Sequence, residues 1–150
     1  MSGLVLYADI GGTFARFAFA RPNERPHVAS VLATQMMPDL VSAIGEAMRA
    51  NQIAAPLAGA AIAGAGPVVD GAINLTNAGW RIDAEEIMRA TGVARPLIVN
   101  DFTAQAAALA ALAPGDVDAF GGGAGDLLLL ERGRKLGADG GKPIMGFFEE

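Results

Sequence analysis

The sequence of 150 residues contains no cysteine. This absence excludes disulfide bonds and thiolate metal sites, and it is consistent with a reducing, cytoplasmic location. Histidine, tryptophan and tyrosine each occur once, and we assign no catalytic role to the single histidine, His27. The sequence also lacks a Gly-x-x-x-x-Gly-Lys-Ser/Thr motif, which excludes a Walker-type phosphate loop.

Targeting segments and long hydrophobic runs are missing as well. The N-terminus has no basic stretch, and Asp9 interrupts its apolar run. The uncharged stretch from Ile53 to Val69 is rich in alanine and glycine, too short and too weakly apolar to span a bilayer. The net charge is −5 and no basic patch is present. We therefore expect a soluble protein with no membrane and no nucleic acid as partner.

A high apolar content accompanies these absences. Hydrophobic residues make up 52% of the chain, and 20 residues are glycine. One sizeable core is the simplest arrangement at this length, so we expect a single domain over residues 1–150. Leu4 to Ala8 is a continuous apolar run, typical of a strand buried on both faces. Residues 16–20 alternate after a glycine pair and predict a second strand, and residues 27–33 suggest a third.

The pattern becomes helical after Asp39, a predicted N-cap. The next predicted elements are a strand at 57–65, a hairpin-like excursion at 67–76 around Asp70-Gly71, a helix between Asp83 and Gly92, a strand at 96–99 and a helix from about Thr103 to Ala113. This alternation predicts an α/β fold in which helices flank a mixed β-sheet. Residues 114–141 carry weaker signals, and we expect them to be weakly ordered or loop-rich, with short strands at 127–130 and 143–148.

The first motif with chemical content is the glycine turn after the first strand. Gly11 and Gly12 allow close backbone approach, and successive amides in such a turn form a concave anion site to which Thr13 adds a hydroxyl. Asp9, just before the turn, is placed to hold Mg²⁺ through water. An ordinary hairpin with a solvated aspartate is the alternative.

The second motif is Asn100-Asp101, between a buried strand and a helix. Ligands of open α/β sheets bind at the carboxyl ends of strands, where this order of elements places both residues. A carboxylate there can accept a hydroxyl proton in phosphoryl transfer, and the amide can bind a sugar hydroxyl. The alternative is that Asp101 only caps the following helix. Of the weaker signals, Trp80 is expected in the core, and Asn77 serves either turn chemistry or a sugar contact.

Four motifs occur together in an order and spacing that are similar to those of the bacterial glucokinases, within the actin-like ATPase and hexokinase superfamily. They are Asp9-Ile10-Gly11-Gly12-Thr13-x-Ala15-Arg16, Ala65-Gly66-Pro67, Leu75-Thr76-Asn77-x-x-Trp80 and Asn100-Asp101-Phe102-Thr103-Ala104. The resemblance covers about residues 4 to 123. It implies the N-terminal domain of an actin-like ATPase (ribonuclease H-like) fold.

The resemblance also implies ATP-dependent phosphorylation of the glucose 6-hydroxyl, with ATP and Mg²⁺ as cofactors. By that matching Asp101 is the general base, and Asn100 and Asn77 contact glucose or a similar hexose. The residues implied at the ATP phosphates are Gly11, Gly12, Thr13 and Arg16, with Asp9 near the Mg²⁺. Two alternatives stay open: a kinase for another hexose or an amino sugar, and a non-catalytic sugar-binding or interaction module.

The sequence departs from the family in two ways. Phe14 stands where the family usually has asparagine, so one polar contact in the turn is missing. The family chain is about twice as long, and its second glycine-rich phosphate loop and C-terminal kinase domain have no counterpart here. We therefore expect a fragment that is inactive in isolation, because the cleft closes between two domains. We also expect self-association through the apolar face that the missing domain leaves.

Overall fold

The computed structural model describes residues 3–109, 117–120 and 128–131. Its elements in chain order are β1 (Val5–Ile10), β2 (Phe14–Ala20), β3 (Val28–Ala33), a short 3-10 helix (Thr34–Met36), α1 (Leu40–Ala50), β4 (Gly59–Gly64), β5 (Ala72–Asn74), β6 (Arg81–Asp83), α2 (Ala84–Thr91), β7 (Leu97–Asn100), α3 (Asp101–Leu109), β8 (Val117–Phe120) and β9 (Leu128–Glu131).

Five of the strands form one sheet in the order β3-β2-β1-β4-β7. The tight glycine turn reverses the chain after β1, so β2 runs antiparallel to β1, and β3 runs antiparallel to β2. Crossover connections return β4 and β7 to the sheet parallel to β1. The predicted α/β class, a mixed sheet flanked by helices, is confirmed.

One face of this sheet carries the main core. Leu6, Ile10, Phe17 and Ile62 share that face in the strand register, and all four are fully buried. They pack in one cluster with side chains of α1, α2, β5, β6 and the loop that connects β5 to β6, among them Ile44, Ile87, Ile73, Ile82 and Trp80. The predicted burial of the tryptophan is confirmed. Each such aliphatic or aromatic side chain stabilises the fold by roughly 2 kcal/mol.

The helix ends follow their local chemistry. The Asp39 carboxylate accepts a hydrogen bond from Ser42 N at 2.7 Å and caps α1, as predicted. Asp83 caps α2 in the same way, accepting from Glu85 N at 2.9 Å. Gly92 ends α2 in the left-handed region at φ 73°, with its N–H donating to Met88 O. Both predicted boundaries of this helix are confirmed.

Three elements differ from the sequence prediction. The predicted turn at Asp70-Gly71 is present, with both residues at positive φ and with Val69 and Ala72 bridged across it, but beyond this single bridge the strand after the turn pairs with β6. Helix α3 begins at Asp101, two residues earlier than predicted. An unpredicted strand, β8, pairs antiparallel with β9 inside the stretch expected to be loop-rich.

Some predictions fall on residues that lie outside the described ones: the end of the helix at 110–113, most of the 114–141 stretch, and the strand at 143–148. None of the helices in the described ranges has the length and apolar character that crossing a membrane requires.

Two glycines, one at the end of a helix and one inside a helix, make a matched pair for a stability test. A Cβ at Gly92 would lie 2.8 Å from Pro56 Cβ on a backbone with φ +73°, whereas a Cβ at Gly45, inside α1, meets nothing within 4 Å. We expect Gly92→Ala to lower the free energy of unfolding by about 2 kcal/mol. Gly45→Ala should raise it by about 0.5–1 kcal/mol, through helix propensity. Urea denaturation measures both, and equal effects of the two substitutions would contradict this account.

Candidate functional site

The parallel register brings the two predicted motifs to the same edge of the sheet. Ile10, the last residue of β1, pairs with Gly64 at the end of β4, and Gly64 pairs with Asn100 at the end of β7. The glycine turn follows the first of these residues and Asp101 follows the last. Neighbouring strands lie about 4.8 Å apart, so β1 and β7 are separated by roughly 10 Å. That gap suits a sugar hydroxyl at one side and a phosphate at the other.

The glycine turn is closed by Gly11 N, which donates to Phe14 O at 3.0 Å. Among the described residues nothing accepts a hydrogen bond from the amides of Gly12 and Thr13. A Cβ built on Gly12 would lie 3.0 Å from Asn77 Cβ, so the loop between β5 and β6 leans directly on the turn. Glycine is needed here because of that close approach. The two amides give the turn the donor set that an anion requires.

Asp9 sits beside this turn with only 7% of its surface exposed. Its Oδ2 lies 3.4 Å from Arg16 Nη1, on the antiparallel partner strand. Burial raises the pKa of the Asp9 carboxyl from 3.8 to about 7, because desolvation disfavours the charged form. The Arg16 guanidinium opposes this rise in pKa, and the negative charge of Asp101 adds to it. The two predicted carboxylates are thus close enough to influence each other.

The surroundings of Asp9 fit one kind of metal site and not another. No group of three or more histidine, cysteine or acidic side chains in the described ranges could enclose a metal ion. Mg²⁺ does not need such a cage, because it keeps several waters and is held by one or two carboxylates together with substrate phosphates. The buried Asp9 carboxylate, next to a turn with two amides that have no acceptor among the described residues, is compatible with that kind of site.

Asn100 and Asp101 organise the start of α3. Asn100 Nδ2 donates to Gly66 O at 2.8 Å, and Asn100 Oδ1 accepts from Phe102 N at 3.0 Å. Asp101 Oδ1 accepts from the same amide at 2.9 Å. The capping function considered for Asp101 is therefore shared with Asn100, the residue before the helix. In the described part of the chain no donor contacts Asp101 Oδ2.

The remaining predicted site residues, Asn77 and Arg16, both lie next to the glycine turn or to Asp9. Asn77, expected near the sugar, lies against Gly12 and so borders the turn. Arg16 reaches the same place through its ion pair with Asp9. The Phe14 ring, at the position of the missing asparagine, lies 6.0 Å from the Arg16 guanidinium carbon, at the limit of a cation–π contact.

Sequence reasoning missed two contacts at this edge. Thr34 bonds to the turn from the end of β3, through its hydroxyl to Gly11 O at 3.1 Å and its amide to Thr13 O at 2.9 Å. The carbonyl of Gly66 holds Asn100. A lone threonine after a strand and a backbone carbonyl have no sequence signature, so no local pattern could have found either.

Comparison with known proteins gives a consistent result. A family model described as glucokinase matches residues 6–134. Glucokinase of Caulobacter vibrioides is 36% identical over 145 residues, covering 92% of this chain and 44% of that protein. Glucokinase of Sinorhizobium fredii is 38% identical over 124 residues, covering 79% and 35%. A crystal structure of glucokinase from an Antarctic psychrotroph superposes with a TM-score of 0.66 at 27% identity, covering 84% of this chain and 41% of that one.

The chain therefore spans less than half the length of the relatives that it matches.

The raised pKa of Asp9 predicts a specific pH dependence of stability. Between pH 3.8 and about 7 the carboxyl is ionised in the unfolded chain and protonated in the folded one. The folded state thus binds the extra proton, and stability falls as pH rises towards 7, by at most about 1.4 kcal/mol per pH unit. Above pH 7 this fall levels off. Asp9→Asn should remove it, which thermal or urea denaturation from pH 5 to 8.5 would show.

Asp39→Asn is the matched control. Its exposed carboxylate has a pKa lowered by the hydrogen bond from Ser42, so it is ionised in both states across this range. Losing it should displace the curve to lower stability without changing its slope. A wild-type curve parallel to that of Asp9→Asn would contradict the account of Asp9.

Proposed function

The chain belongs to the glucokinase family, as its four motifs predict, and we propose that it forms the N-terminal part of an ATP-dependent kinase that phosphorylates the 6-hydroxyl of glucose. The observation that carries the proposal is the strand register, in which Ile10 of β1 pairs with Gly64 of β4 and Gly64 pairs with Asn100 of β7. It sets the glycine turn and Asp101 at one edge of one sheet. A substrate spanning about 10 Å can meet both.

Asp101 is the proposed catalytic base. It would accept the proton of the sugar 6-hydroxyl as that oxygen bonds to the transferred phosphorus and the bond from this phosphorus to the departing ADP oxygen breaks. Asp101 stands in the first turn of α3, directly after the end of β7. Asp101 Oδ1 accepts a hydrogen bond from Phe102 N, and Oδ2 is the oxygen proposed to accept the proton. A base positioned in this way contributes about 10²–10⁴-fold to the rate.

The glycine turn is the proposed phosphate site. When bound, Mg²⁺-ATP supplies the phosphoryl group and the metal's positive charge. The amides of Gly12 and Thr13 would hold phosphate oxygens, and Arg16 would add a cationic side chain. Asp9 would hold the Mg²⁺ through water. A cation there favours ionised Asp9 and so offsets the effect of burial on its pKa.

Asn100 and Asn77 are the proposed sugar contacts, and they differ in how many of their hydrogen-bonding groups are already used. The Asn100 amide already makes one hydrogen bond at each end, so the remaining N–H and lone pair are what it can offer a hydroxyl. Asn77 is exposed and borders the phosphate turn. From this position beside the turn it is proposed to contact the sugar. A cytoplasmic location and self-association through an apolar face are parts of the same proposal.

A chimera tests the function of the site. Residues 6–134 replace the matching part of the Caulobacter vibrioides glucokinase, and formation of glucose 6-phosphate is followed in a coupled assay. We expect activity, and a fall in kcat of about 10²–10⁴-fold in Asp101→Asn with KM for ATP nearly unchanged, because a base acts in the transition state. Galactose and N-acetylglucosamine in place of glucose test the alternative substrates.

Asp70→Asn is the control for this chimera. It removes an exposed carboxylate at a turn position with φ 50°, which asparagine tolerates well. Its kcat should stay within twofold of the parent. Retention of full activity in Asp101→Asn would reject the aspartate as the base, and an inactive parent chimera would reject the proposed function. The 150-residue chain in isolation should show no glucose-dependent ATP turnover.

A further inference from the structure

Thr34 is a buried polar residue to which the proposed chemistry gives no part. Only 1% of its surface is exposed. It follows the last residue of β3 and opens the short 3-10 helix. Its hydroxyl donates to Gly11 O at 3.1 Å, and its amide donates to Thr13 O at 2.9 Å. One residue thus holds two carbonyls of the glycine turn, on either side of Gly12.

These two bonds fix directions that glycine leaves open. The carbonyl of Gly11 and the N–H of Gly12 belong to one peptide unit, which is planar and trans, so they point in opposite directions. Holding Gly11 O towards Thr34 therefore turns the Gly12 N–H away from β3. Without that bond the glycine pair can rotate this peptide at little steric cost. The side-chain hydroxyl of Thr34 is the donor that the Gly11 carbonyl has in this structure.

We propose that Thr34 is a positioning residue that presents the Gly12 amide to the phosphate of the nucleotide. This inference rests on the proposed function of the turn as a phosphate site. It adds a residue that touches neither substrate nor metal, and acts through one hydrogen bond to the peptide before Gly12. The buried hydroxyl needs an acceptor in any case, so the bond is kept for its own stability as well.

The first measurement is made on the 150-residue chain and needs no ligand. The residual dipolar coupling of the Gly12 amide, which reports the orientation of its N–H, is measured by NMR in wild type, Thr34→Val and Thr34→Ser. Valine keeps the shape and removes the hydroxyl, whereas serine keeps it. We expect a changed coupling in the valine variant only. An unchanged Gly12 amide in Thr34→Val would overturn the proposal.

Thr91→Val is the matched control. Thr91 is equally buried, and its hydroxyl donates to Ile87 O at 2.7 Å inside α2, in a different part of the fold from the turn. It loses the same group at similar burial, so it should lower stability without altering the Gly12 amide. An equal change in the Gly12 coupling in Thr34→Val and Thr91→Val would show that the effect comes from a general loss of stability, and it would overturn the proposal. Thr34→Ala provides a second variant without the hydroxyl if the valine variant does not fold.

The second measurement uses the chimera. Thr34→Val should raise KM for ATP about tenfold and leave KM for glucose within twofold, while Thr34→Ser restores the parent value. Equal increases in both KM values, or none, would overturn the positioning role. An inactive parent chimera would instead contradict the proposed function, and the Gly12 amide measurement on the chain would then decide the part of the inference that concerns the turn.

Discussion

The whole site depends on the alignment of three parallel strand ends. Ile10, Gly64 and Asn100 lie side by side across β1, β4 and β7. Because side chains alternate along a strand, a shift of β7 by one residue would turn Asn100 to the other face and move Asp101 with it. The alignment is maintained by the core on one face of the sheet, where Ile10 and Ile62 are fully buried. The geometry of the site is thus a consequence of apolar packing.

Close packing at Gly64 extends that constraint to the β5–β6 pair. A Cβ at Gly64 would collide with Ile82 Cδ1 and lie 3.2 Å from Ile73 Cδ1. Those two isoleucines belong to the pair whose connecting loop carries Asn77 against Gly12. The absence of a side chain at Gly64 lets this layer approach the sheet, and the approach brings Asn77 to the turn. Three separated segments therefore meet through contacts that exclude even a methyl group.

Sequence reasoning recovered the features that local patterns encode. The apolar run at 4–8, the caps at Asp39 and Asp83 and the glycine end at Gly92 each have a short-range cause, and each is present. The strand pairing of Ile10 with Gly64 joins residues 54 positions apart, and no local pattern specifies such a pairing. The burial of Asp9 depends on that packing, so its raised pKa could not be predicted either. The start of α3 was misplaced because Asn100 supplies the cap that the pattern suggested for Asp101.

The hydrogen bonds of the Asn100 side-chain amide also explain why asparagine precedes aspartate in the Asn100-Asp101 pair. Its nitrogen faces the Gly66 carbonyl and its oxygen faces the Phe102 amide, so one end must donate and the other must accept. A carboxylate at position 100 would direct lone pairs at the Gly66 carbonyl and break the link between the β4–β5 loop and α3. Asparagine and aspartate have nearly the same shape, yet aspartate at position 100 would replace the hydrogen bond to Gly66 O with a repulsion between two oxygens. The backbone offers an acceptor at Gly66 O and a donor at Phe102 N, so it requires an amide at position 100 whether or not a substrate is bound.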